Sequence, residues 1–494
     1  MDNRNHRRRF AIVGVGARAQ LYSDAICGEF SQSSELVALC DLNAARLKLH
    51  NELLCSAHGI LPLPCFLPSA FEEMIHKQQV DCVIIASIDC THHEYIIRAL
   101  TAGCDVICEK PLTTTATACR QIQQAVDATG RKIRVGFNYR YSPRNSRVKQ
   151  LLASGEIGKV LSVHFEWLLD TTHGADYFRR WHREKRFSGG LLVHKASHHF
   201  DLMNWWLASK PVSVYAVGRL AFYGEDAARA RECDGKAADP DGRFALKWDP
   251  ALQALYGPEA MKCDGYKRDQ DVFGSGITIE DDAAALVTYA SGATMTYHLT
   301  CYSPWEGLRV SFNGTRGRLE YEVVENTCVA GAENDANLPH RPMATTAQAP
   351  KDLSRKGGSG GESVRIVVHR HWSDPVEHSV PCDEAGHGGG DARMLKDIFV
   401  GNDSDPLGRM ADHSAGVAAV SVGIAANESL QKGQPCEIST LLLAESHATA
   451  TRAGEMWRER SRLAIMAAFT VAAACGLALM VSTSSKAGAK LLSR

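Results

Sequence analysis

A lysine that follows a short apolar segment is the residue whose position most directly suggests chemistry in this sequence. Residues Asp105–Cys108 have the composition of a buried strand, and Glu109, Lys110 and Pro111 follow them. Ligands of open α/β sheets bind beyond the carboxyl ends of the strands, and a proline restricts the backbone that precedes it. A solvent-exposed lysine in a loop would give the same local sequence. The neighbouring motifs favour a Lys110 amine that faces a ligand.

A glycine-rich turn near the N-terminus is the first of these motifs. The apolar residues Phe10–Val13 predict a strand, and a helix-compatible stretch begins at Gln20. Between them, Gly14, Gly16 and Ala19 fit the dinucleotide-binding fingerprint with alanine in its third position. Gly14 would form the tight turn, and Gly16 would let the backbone approach a pyrophosphate at the helix N-terminus. The residues of this turn that we predict to contact the cofactor are Gly14, Gly16, Ala17 and Arg18.

A second predicted strand, Leu36–Cys40, is followed by an acidic residue, Asp41. This position matches that of the acid that binds the ribose in dinucleotide-binding folds. A carboxylate there accepts hydrogen bonds from the ribose hydroxyls and repels a 2′-phosphate, which favours NAD over NADP. Arg46 lies close enough in the sequence to leave NADP open. The predicted cofactor is therefore NAD, with NADP as the alternative.

Strands and helices alternate through the first part of the chain. Besides the segments above, the predicted strands are Asp81–Ser87 and Lys132–Phe137, and the predicted helices are Asn43–Ser56 and His93–Ala102. Such alternation indicates a parallel, doubly wound sheet. The fold class is therefore α/β, with a Rossmann domain at residues 8–138.

Further motifs follow one another along the chain. They are Ile84–Ser87 with Thr91 and His92, Glu109–Pro111, Val135–Pro143, Gly155–Gly158, and Gly189–Gly190 leading to His198 and Asp201. Together with the Gly14 turn, they resemble the Gfo/Idh/MocA family of nicotinamide-dependent oxidoreductases over roughly residues 8–440. The resemblance implies an NAD(P)-binding domain followed, at residues 139–440, by a substrate-binding α+β domain with an open, mostly antiparallel sheet. One face of that sheet meets a partner subunit in the family, so a homo-oligomer is implied.

The resemblance also assigns roles to particular residues. In this family, the lysine of the Glu-Lys-Pro motif contacts the substrate hydroxyl and the nicotinamide region, and a histidine after the Gly-Gly segment acts as general acid or base. By position these are Lys110 and His198. Oxidation of a carbinol carbon requires removal of the hydroxyl proton, which a histidine can accept near neutral pH, and the charge of Lys110 would hold the developing alkoxide. The cofactor contacts that the resemblance implies are those of Ser87, His92, Glu109, Lys110 and Asn138.

A second histidine competes for the role of base. The family often has Asp or Asn four residues before the catalytic histidine, and His194 occupies that position here. It could bind substrate hydroxyls or share the proton relay, so we predict His198 as the base and keep His194 as the alternative. His199 is predicted to face the sheet or a neighbouring subunit from a helix. Three clustered histidines also suggest a metal site, but no Cys or carboxylate lies beside them at convincing ligand spacing, so no metal is predicted.

Three segments combine polar and aromatic residues as substrate-binding loops do. They are residues 173–182, residues 264–269 within an insertion at about 222–276, and residues 386–391 at the start of a helix that extends to Phe399. Recognition of a sugar or polyol requires planar polar groups beside aromatic walls, although structural loops can have the same composition. The candidate substrate-binding residues are Lys110, Tyr177, Arg180, His194, His198 and His387.

The C-terminal part contains an uncharged run at residues 463–482, after a linker at 441–462. As a helix of about 20 residues it would span about 30 Å, the thickness of a bilayer core. We predict a single C-terminal membrane anchor with the catalytic region in the cytosol; a buried helix, and thus a soluble cytoplasmic protein, is the alternative. The basic, polar N-terminus does not resemble a secretory signal. Residues 330–361 are predicted to form a flexible insertion.

Composition narrows the classes of function. A net charge of −1 and a pI of about 7.0 give no electrostatic reason to expect nucleic-acid binding. The 16 cysteines are scattered singly, which indicates reduced thiols rather than disulfides. The leading prediction is an NAD(P)-dependent dehydrogenase that acts on a hydroxyl group of a sugar, inositol or related polyol. The alternatives are an NAD-dependent glycoside hydrolase that oxidises its substrate transiently, and a non-catalytic nucleotide-binding protein tethered to a membrane.

Overall fold

The computed structural model describes residues 7–233, 239, 242–326, 363–380, 386–401 and 404–443. The predicted membrane anchor at 463–482, most of the predicted linker before it and the predicted insertion at 330–361 lie outside these residues. Among the helices that are described, none is long and apolar enough to cross a membrane.

The first part of the chain alternates between strands and helices. The strands are β1 (Arg8–Val13), β2 (Ser34–Cys40), β3 (Cys65–Phe66), β4 (Cys82–Ile85), β5 (Asp105–Cys108) and β6 (Ile133–Val135). The helices are α1 (Ala19–Cys27), α2 (Ala44–His58), α3 (Phe71–Lys77), α4 (His92–Thr101) and α5 (Ala116–Thr129).

The strands of this part form a parallel sheet with the order β3-β2-β1-β4-β5-β6. Alternate residues of β1 enter different apolar clusters, Ala11 and Val13 on one face and Phe10 and Ile12 on the other. Strands that are buried on both faces have nearly continuous apolar sequences, which is the pattern of β1, β4 and β5. The predicted doubly wound parallel sheet is confirmed.

The second part contains a larger sheet and most of the helices. Its strands are β7 (Val160–Asp170), β8 (Pro211–Arg219), β9 (Asp282–Tyr289), β10 (Thr294–Ser303), β11 (Glu306–Gly314), β12 (Gly317–Asn326), β13 (Ser363–Arg370), β14 (Val376–Glu377) and β15 (Cys436–Glu437). Its helices are α6 (Pro143–Ala153), α7 (Thr171–Arg179), α8 (Lys185–Ser188), α9 (Leu191–His194), α10 (Ser197–Leu207), α11 (Gly224–Cys233), α12 (Pro250–Tyr256), α13 (Pro258–Asp264), α14 (Gly386–Phe399), α15 (His413–Lys432) and α16 (Ile438–Leu443).

The second sheet has the order β14-β13-β12-β11-β7-β10-β9-β8-β15. Strands β7 and β10 pair in parallel, and the other neighbouring pairs described are antiparallel. Along β10, exposed and buried residues alternate, so one face of the sheet enters the core and the other does not. The sheet is therefore mixed and mostly antiparallel, as the family resemblance implies.

After β14 the chain returns to the first sheet, before β15 adds the last strand of the second. Helix α14 packs beside the short turn Asn138–Tyr141, and Phe399 at its end lies 5.3 Å, between ring centroids, from both Phe10 and Phe30. Helix α15 contacts β6 and α5. Residues of α14 and α15 thus join the apolar clusters of the first sheet.

Candidate active site

The carboxyl ends of β1, β4 and β5 meet at one edge of the first sheet, because β4 lies between the other two strands. Gly14 follows β1, Ser87 lies just beyond β4, and Lys110 lies just beyond β5. Gly14 has a φ of +84°, and a Cβ atom there would lie 2.5 Å from the backbone nitrogen of Ser87. Only glycine allows such a conformation and so close an approach. The glycine-rich turn and the strand-end lysine therefore share one crevice.

Within this crevice, Lys110 contacts a side chain from the second part of the chain. Its Nζ lies 3.4 Å from Nε2 of His194, and Nδ1 of His194 lies 2.5 Å from Oδ2 of Asp89. Because an ammonium group can only donate, Nε2 of His194 accepts, and the ring carries its proton on Nδ1 and donates it to the Asp89 carboxylate. Asp89 and His194 are buried and Lys110 is partly buried, and the three residues, which we call the triad, form a hydrogen-bonded series.

Burial sets the charge state of the triad. It lowers the pKa of Lys110 to about 8, against the opposing charges of Asp89 and Glu109. Burial also lowers the pKa of His194 well below its usual value, and the charge of Lys110 adds to this effect. Burial raises the pKa of the Asp89 carboxyl, which the charges of Lys110 and Arg180 oppose. Near neutral pH, Lys110 is therefore mostly protonated, and His194 is neutral and able to accept a proton.

Asp89 was not among the residues predicted for the site. It lies in a short 3-10 turn, Asp89–Thr91, between β4 and α4. Like Lys110, it comes shortly after the carboxyl end of a buried parallel strand. The rule that placed the lysine at the crevice would have placed this carboxylate there as well.

Aromatic rings enclose His194. The ring of His182 packs edge-on at 4.2 Å between centroids, and the rings of Tyr177 and Trp181 lie at 5.6 and 5.9 Å. The sequence suggested an irregular loop at 173–182, but most of this segment is helical and belongs to α7. The structure thus brings Tyr177 beside the triad from the end of a helix.

Arg180 follows α7 and adds positive charge near the triad. Its Nη1 lies 3.1 Å from Oδ2 of Asp176, and Nη1 of Arg268 lies 2.7 Å from the other oxygen of that carboxylate. Burial tends to raise the pKa of Asp176, but Arg180 and Arg268 outweigh it and hold this pKa well below its usual range. The charge of Arg180 also acts on Asp89 and His194. The predicted residue Arg180 is therefore part of the electrostatic environment of the crevice.

His198 and His199 lie on α10 and differ in their surroundings. His198 is buried and stacks on the ring of Tyr139 with centroids 4.3 Å apart. His199 is fully buried, stacks on Trp167 and has its Nδ1 2.7 Å from Oη of Tyr297. Because Trp167 and Tyr297 belong to β7 and β10, His199 faces the second sheet, as predicted.

A buried ion-pair network holds the lysine loop in place. Nε of Arg18 lies 2.7 Å from Oε1 of Glu109, and Oη of Tyr22 donates to the same oxygen at 2.8 Å. Nη2 of Arg18 lies 2.9 Å from Oδ1 of Asp391 on α14, which also accepts a hydrogen bond from Nδ2 of Asn138 at 2.8 Å. Direct cofactor contact was predicted for Arg18, Glu109 and Asn138. The polar contacts above are with protein and support the lysine loop, and the predicted cofactor contacts of these residues stay predictions.

His92 also supports the lysine loop. Its Nδ1 lies 2.8 Å from the carbonyl oxygen of Pro111, its Nε2 lies 3.0 Å from the carbonyl oxygen of Ser87, and the residue is 0% exposed. These contacts give His92 a structural role in this arrangement, and its predicted contact with the cofactor stays a prediction. Ser87 itself is partly exposed, and its Oγ lies 2.8 Å from Oγ1 of Thr91.

The other residues predicted for the cofactor fit a bound NAD. Both carboxylate oxygens of Asp41 accept backbone N–H groups, at 2.7 and 2.8 Å, which fixes the carboxylate at the end of β2. At Gly16, the atom nearest to where a Cβ would lie is Oη of Tyr256, at 3.4 Å, and the amide of Ala17 faces the same hydroxyl at 3.2 Å. A glycine without close backbone neighbours, an amide at the start of α1 and a strand-end carboxylate are what a pyrophosphate and a ribose require.

Two further predictions for the site concern His387 and metal binding. His387 is the second residue of α14, and its side chain lies outside the part of the chain that the structure describes. Within that part, no group of three or more His, Cys, Asp or Glu side chains is arranged to hold a metal ion.

Two family models match this chain in sequence. The model described as "Oxidoreductase family, NAD-binding Rossmann fold" matches residues 8–137, and the one described as "Oxidoreductase family, C-terminal alpha/beta domain" matches residues 149–438. Together they cover most of the chain. The chain belongs to the Gfo/Idh/MocA oxidoreductase family. This membership makes it an NAD-binding enzyme, and the cofactor prediction is confirmed at this level.

Individual proteins resemble this chain in sequence or in fold. YteT of Bacillus subtilis (strain 168), named as an oxidoreductase, is 32% identical over 461 residues, which cover 88% of this chain and 98% of YteT. The inositol 2-dehydrogenase of Rhizobium meliloti (strain 1021) is 26% identical over 287 residues, or 58% of this chain and 79% of that enzyme. An oxidoreductase from Agrobacterium radiobacter, solved in complex with NAD+, L-tartaric acid and magnesium, shares the fold with a TM-score of 0.55 and 15% identity, over 88% of this chain and 100% of that one. As a member of this family, the chain is an NAD-binding oxidoreductase.

Proposed function

We propose that this Gfo/Idh/MocA protein transfers hydride between NAD and a hydroxyl or carbonyl carbon of a sugar, inositol or related polyol. The observation that carries the proposal is the triad, in which His194 of α9 meets Asp89 and Lys110 beyond the ends of β4 and β5, beside a turn that fits a dinucleotide. The choice of substrate class is supported by the inositol 2-dehydrogenases among the relatives.

The triad offers the two functions that alcohol oxidation requires of a protein. The ammonium group of Lys110 can donate a hydrogen bond to the substrate oxygen and hold the charge that develops on it. Nε2 of His194 can accept the hydroxyl proton, and the carboxylate of Asp89 would then stabilise the imidazolium through Nδ1. Bound NAD would supply the hydride acceptor. A substrate oxygen placed between Lys110 and His194 would replace the 3.4 Å contact between them.

His198 is the other candidate for the base. The family resemblance assigns the role to His198. In the structure, His194 contacts a carboxylate that orients its ring, Asp89, and the ammonium group of Lys110. We therefore propose His194 as the base and His198 as a residue that shapes the substrate pocket.

The walls of the crevice supply the groups that a polyol needs. Tyr177, Trp181 and His182 surround the triad with rings, and Arg180 contributes hydrogen-bond donors with a fixed positive charge. We propose Tyr177 and Arg180 as substrate-binding residues, and His387 as a third on the strength of the sequence.

Incubation of the purified protein with NAD+ and a panel of polyols, aldoses and glycosides tests this function. Accumulation of reduced nicotinamide, followed by its near-ultraviolet absorbance, is expected with at least one polyol or aldose. Cleavage of a glycoside without accumulation of reduced cofactor would instead support the redox-neutral hydrolase. Absence of any turnover, with NAD+ bound, would support a non-catalytic nucleotide-binding protein.

A homo-oligomer through the outer face of the second sheet is a further part of the proposal. Three large apolar residues on neighbouring strands, Tyr215, Val217 and Leu286, are 40%, 53% and 47% exposed. They line one shallow depression of about 500 Å³ together with polar residues of β7, β10 and β11. A contiguous patch of this kind is typical of protein interfaces. The family resemblance implies that the partner is a second copy of the chain.

We also propose that residues 463–482 anchor the protein in a membrane. The support is the sequence alone, an uncharged run of bilayer length between basic flanks. Resistance of the full chain to extraction by alkaline carbonate, compared with a chain that ends before residue 463, tests this proposal.

A further inference from the structure

Two helices of the second part of the chain lie over the nucleotide turn. Helices α12 and α13 belong to the insertion at about 222–276, and Oη of Tyr256, the last residue of α12, lies 3.2 Å from the backbone nitrogen of Ala17. At the other end, Nδ2 of Asn43, the residue that caps α2, donates to Oδ2 of Asp264 at 2.9 Å. The two helices therefore contact both the pyrophosphate side and the ribose side of the predicted nucleotide site.

Arg46 lies between two carboxylates on the ribose side. It forms an ion pair with Asp264, and its Nη2 lies 3.7 Å from Oδ1 of Asp41. The side chains of Arg46, Asp41 and Asp264 are only 12%, 10% and 9% exposed. One guanidinium group thus faces two buried carboxylates, which leaves a negative charge where the ribose is expected.

This arrangement bears on the choice between the two nicotinamide dinucleotides. An arginine near the ribose accommodates a 2′-phosphate in NADP-binding members of dinucleotide folds. Arg46 has the right place in the sequence for that role, but its guanidinium group already donates a hydrogen bond to Asp264. A 2′-phosphate would have to displace Asp264 and would also face the charge of Asp41.

We propose that Asp264 determines the preference for NAD over NADP, because it engages Arg46 and adds a second carboxylate to the ribose site. The residue comes from the second part of the chain, so the insertion would complete the specificity of the first domain. The inference rests on the proposed nucleotide site, and it is independent of the substrate and of the residues proposed for proton transfer.

Direct binding of NAD+ and NADP+ to the full chain, measured by calorimetry, tests the inference without turnover. Wild type should bind NAD+ more tightly than NADP+. Asp264→Asn keeps the size of the side chain, removes its charge and releases Arg46. We expect the affinity for NADP+ relative to NAD+ to rise by about tenfold, the effect of one charge-assisted hydrogen bond.

Two further variants make the result specific. Glu259→Gln removes a charge from the same helix, at an exposed carboxylate 2.6 Å from Lys262, and should leave the ratio of affinities unchanged. Arg46→Ala in the Asp264→Asn background should abolish the gain in NADP+ affinity. If wild type binds both nucleotides and Asp264→Asn leaves their ratio unchanged, the inference is overturned while the nucleotide site stands. If wild type binds neither nucleotide, the proposed function fails with it.

Discussion

Nε2 of His194 lies 3.4 Å from Nζ of Lys110, although 84 positions separate the two residues in the sequence. One residue follows a strand of the parallel sheet, and the other ends a short helix of the second part of the chain. The site therefore forms only when the two parts of the chain pack together. Asp89, from the loop after β4, fixes the ring that connects them.

Replacement of the strand-end lysine tests its electrostatic role. Lys110→Met removes the charge that would hold the developing alkoxide, so we expect kcat to fall by about 100- to 1000-fold. The affinity for NAD+, measured by calorimetry, should change little. Lys48→Met, at an exposed position on α2, is the control and should retain full activity. Full activity of Lys110→Met would exclude the assigned role.

The pH dependence of turnover follows from the pKa of about 8 of Lys110. Burial lowers this pKa, so the charged form is present below about pH 8 and is lost as the pH rises through this value. In the direction of alcohol oxidation, kcat/KM should therefore have a descending limb near pH 8. Lys110→Arg keeps its charge over this range, and its remaining activity should lack that limb. A rise in wild-type activity that depends on loss of the lysine proton would point to Lys110 as the base instead.

The two histidines can be distinguished by matched substitutions. His194→Asn should lower kcat by about 100- to 10,000-fold, the usual contribution of a general base. His198→Asn should have a smaller effect and act mainly on KM, because its ring packs on Tyr139. The loss of kcat in Asp89→Asn should lie between those of the two histidine variants. The proton acceptor His194 would remain but would lose the carboxylate that orients it. A larger loss of kcat in His198→Asn than in His194→Asn would return the role of base to His198.

A buried ion pair between Arg140 and Asp201 should contribute to stability. Nε of Arg140 lies 2.7 Å from Oδ2 of Asp201, and their side chains are 7% and 1% exposed. Asp201→Asn would leave a buried guanidinium group without its counter-charge, so we expect the free energy of unfolding to fall by about 3–5 kcal/mol in urea titrations. Glu73→Gln, which breaks an exposed pair with Lys77, should cost less than about 0.5 kcal/mol. Equal effects of the two substitutions would contradict this account of the buried pair.

The proposed interface predicts a change of mass on substitution. Leu286→Glu places a charge in the apolar patch of the second sheet, so light scattering should show a smaller species than for wild type. Leu61→Glu, at a residue that is 85% exposed on the first part of the chain, is the matched control and should leave the mass unchanged. A monomeric wild type, or an oligomer that tolerates Leu286→Glu, would rule out this face as the interface.

Features with a local signal could be predicted from the sequence. The strand that ends at Cys108 has the predicted bounds. Buried parallel strands are apolar throughout, and glycine at Gly14 is demanded by the backbone itself, so both leave a pattern that can be recognised in one segment.

Contacts between distant segments leave no pattern that can be recognised in any one segment of the sequence. The pairing of Asp89 with His194 depends on how α9 packs against the first sheet. The burial of His92 depends on carbonyl groups from two loops, and the contact of Asp264 with Arg46 depends on the path of the insertion. Motif matching placed His92 near the cofactor because it lies in the right motif, and only the fold shows that its ring is turned to the backbone.

The central claim is that hydride passes from a carbinol carbon to NAD in a site organised by Lys110. The most direct measurement uses a substrate deuterated at the reacting carbon and detects the label in the reduced cofactor by mass spectrometry. We predict deuterium in the cofactor with the wild-type protein, and a large loss of that transfer with Lys110→Met at saturating NAD+. Conversion of the substrate without label in the cofactor, or equal transfer by the two proteins, would contradict the claim.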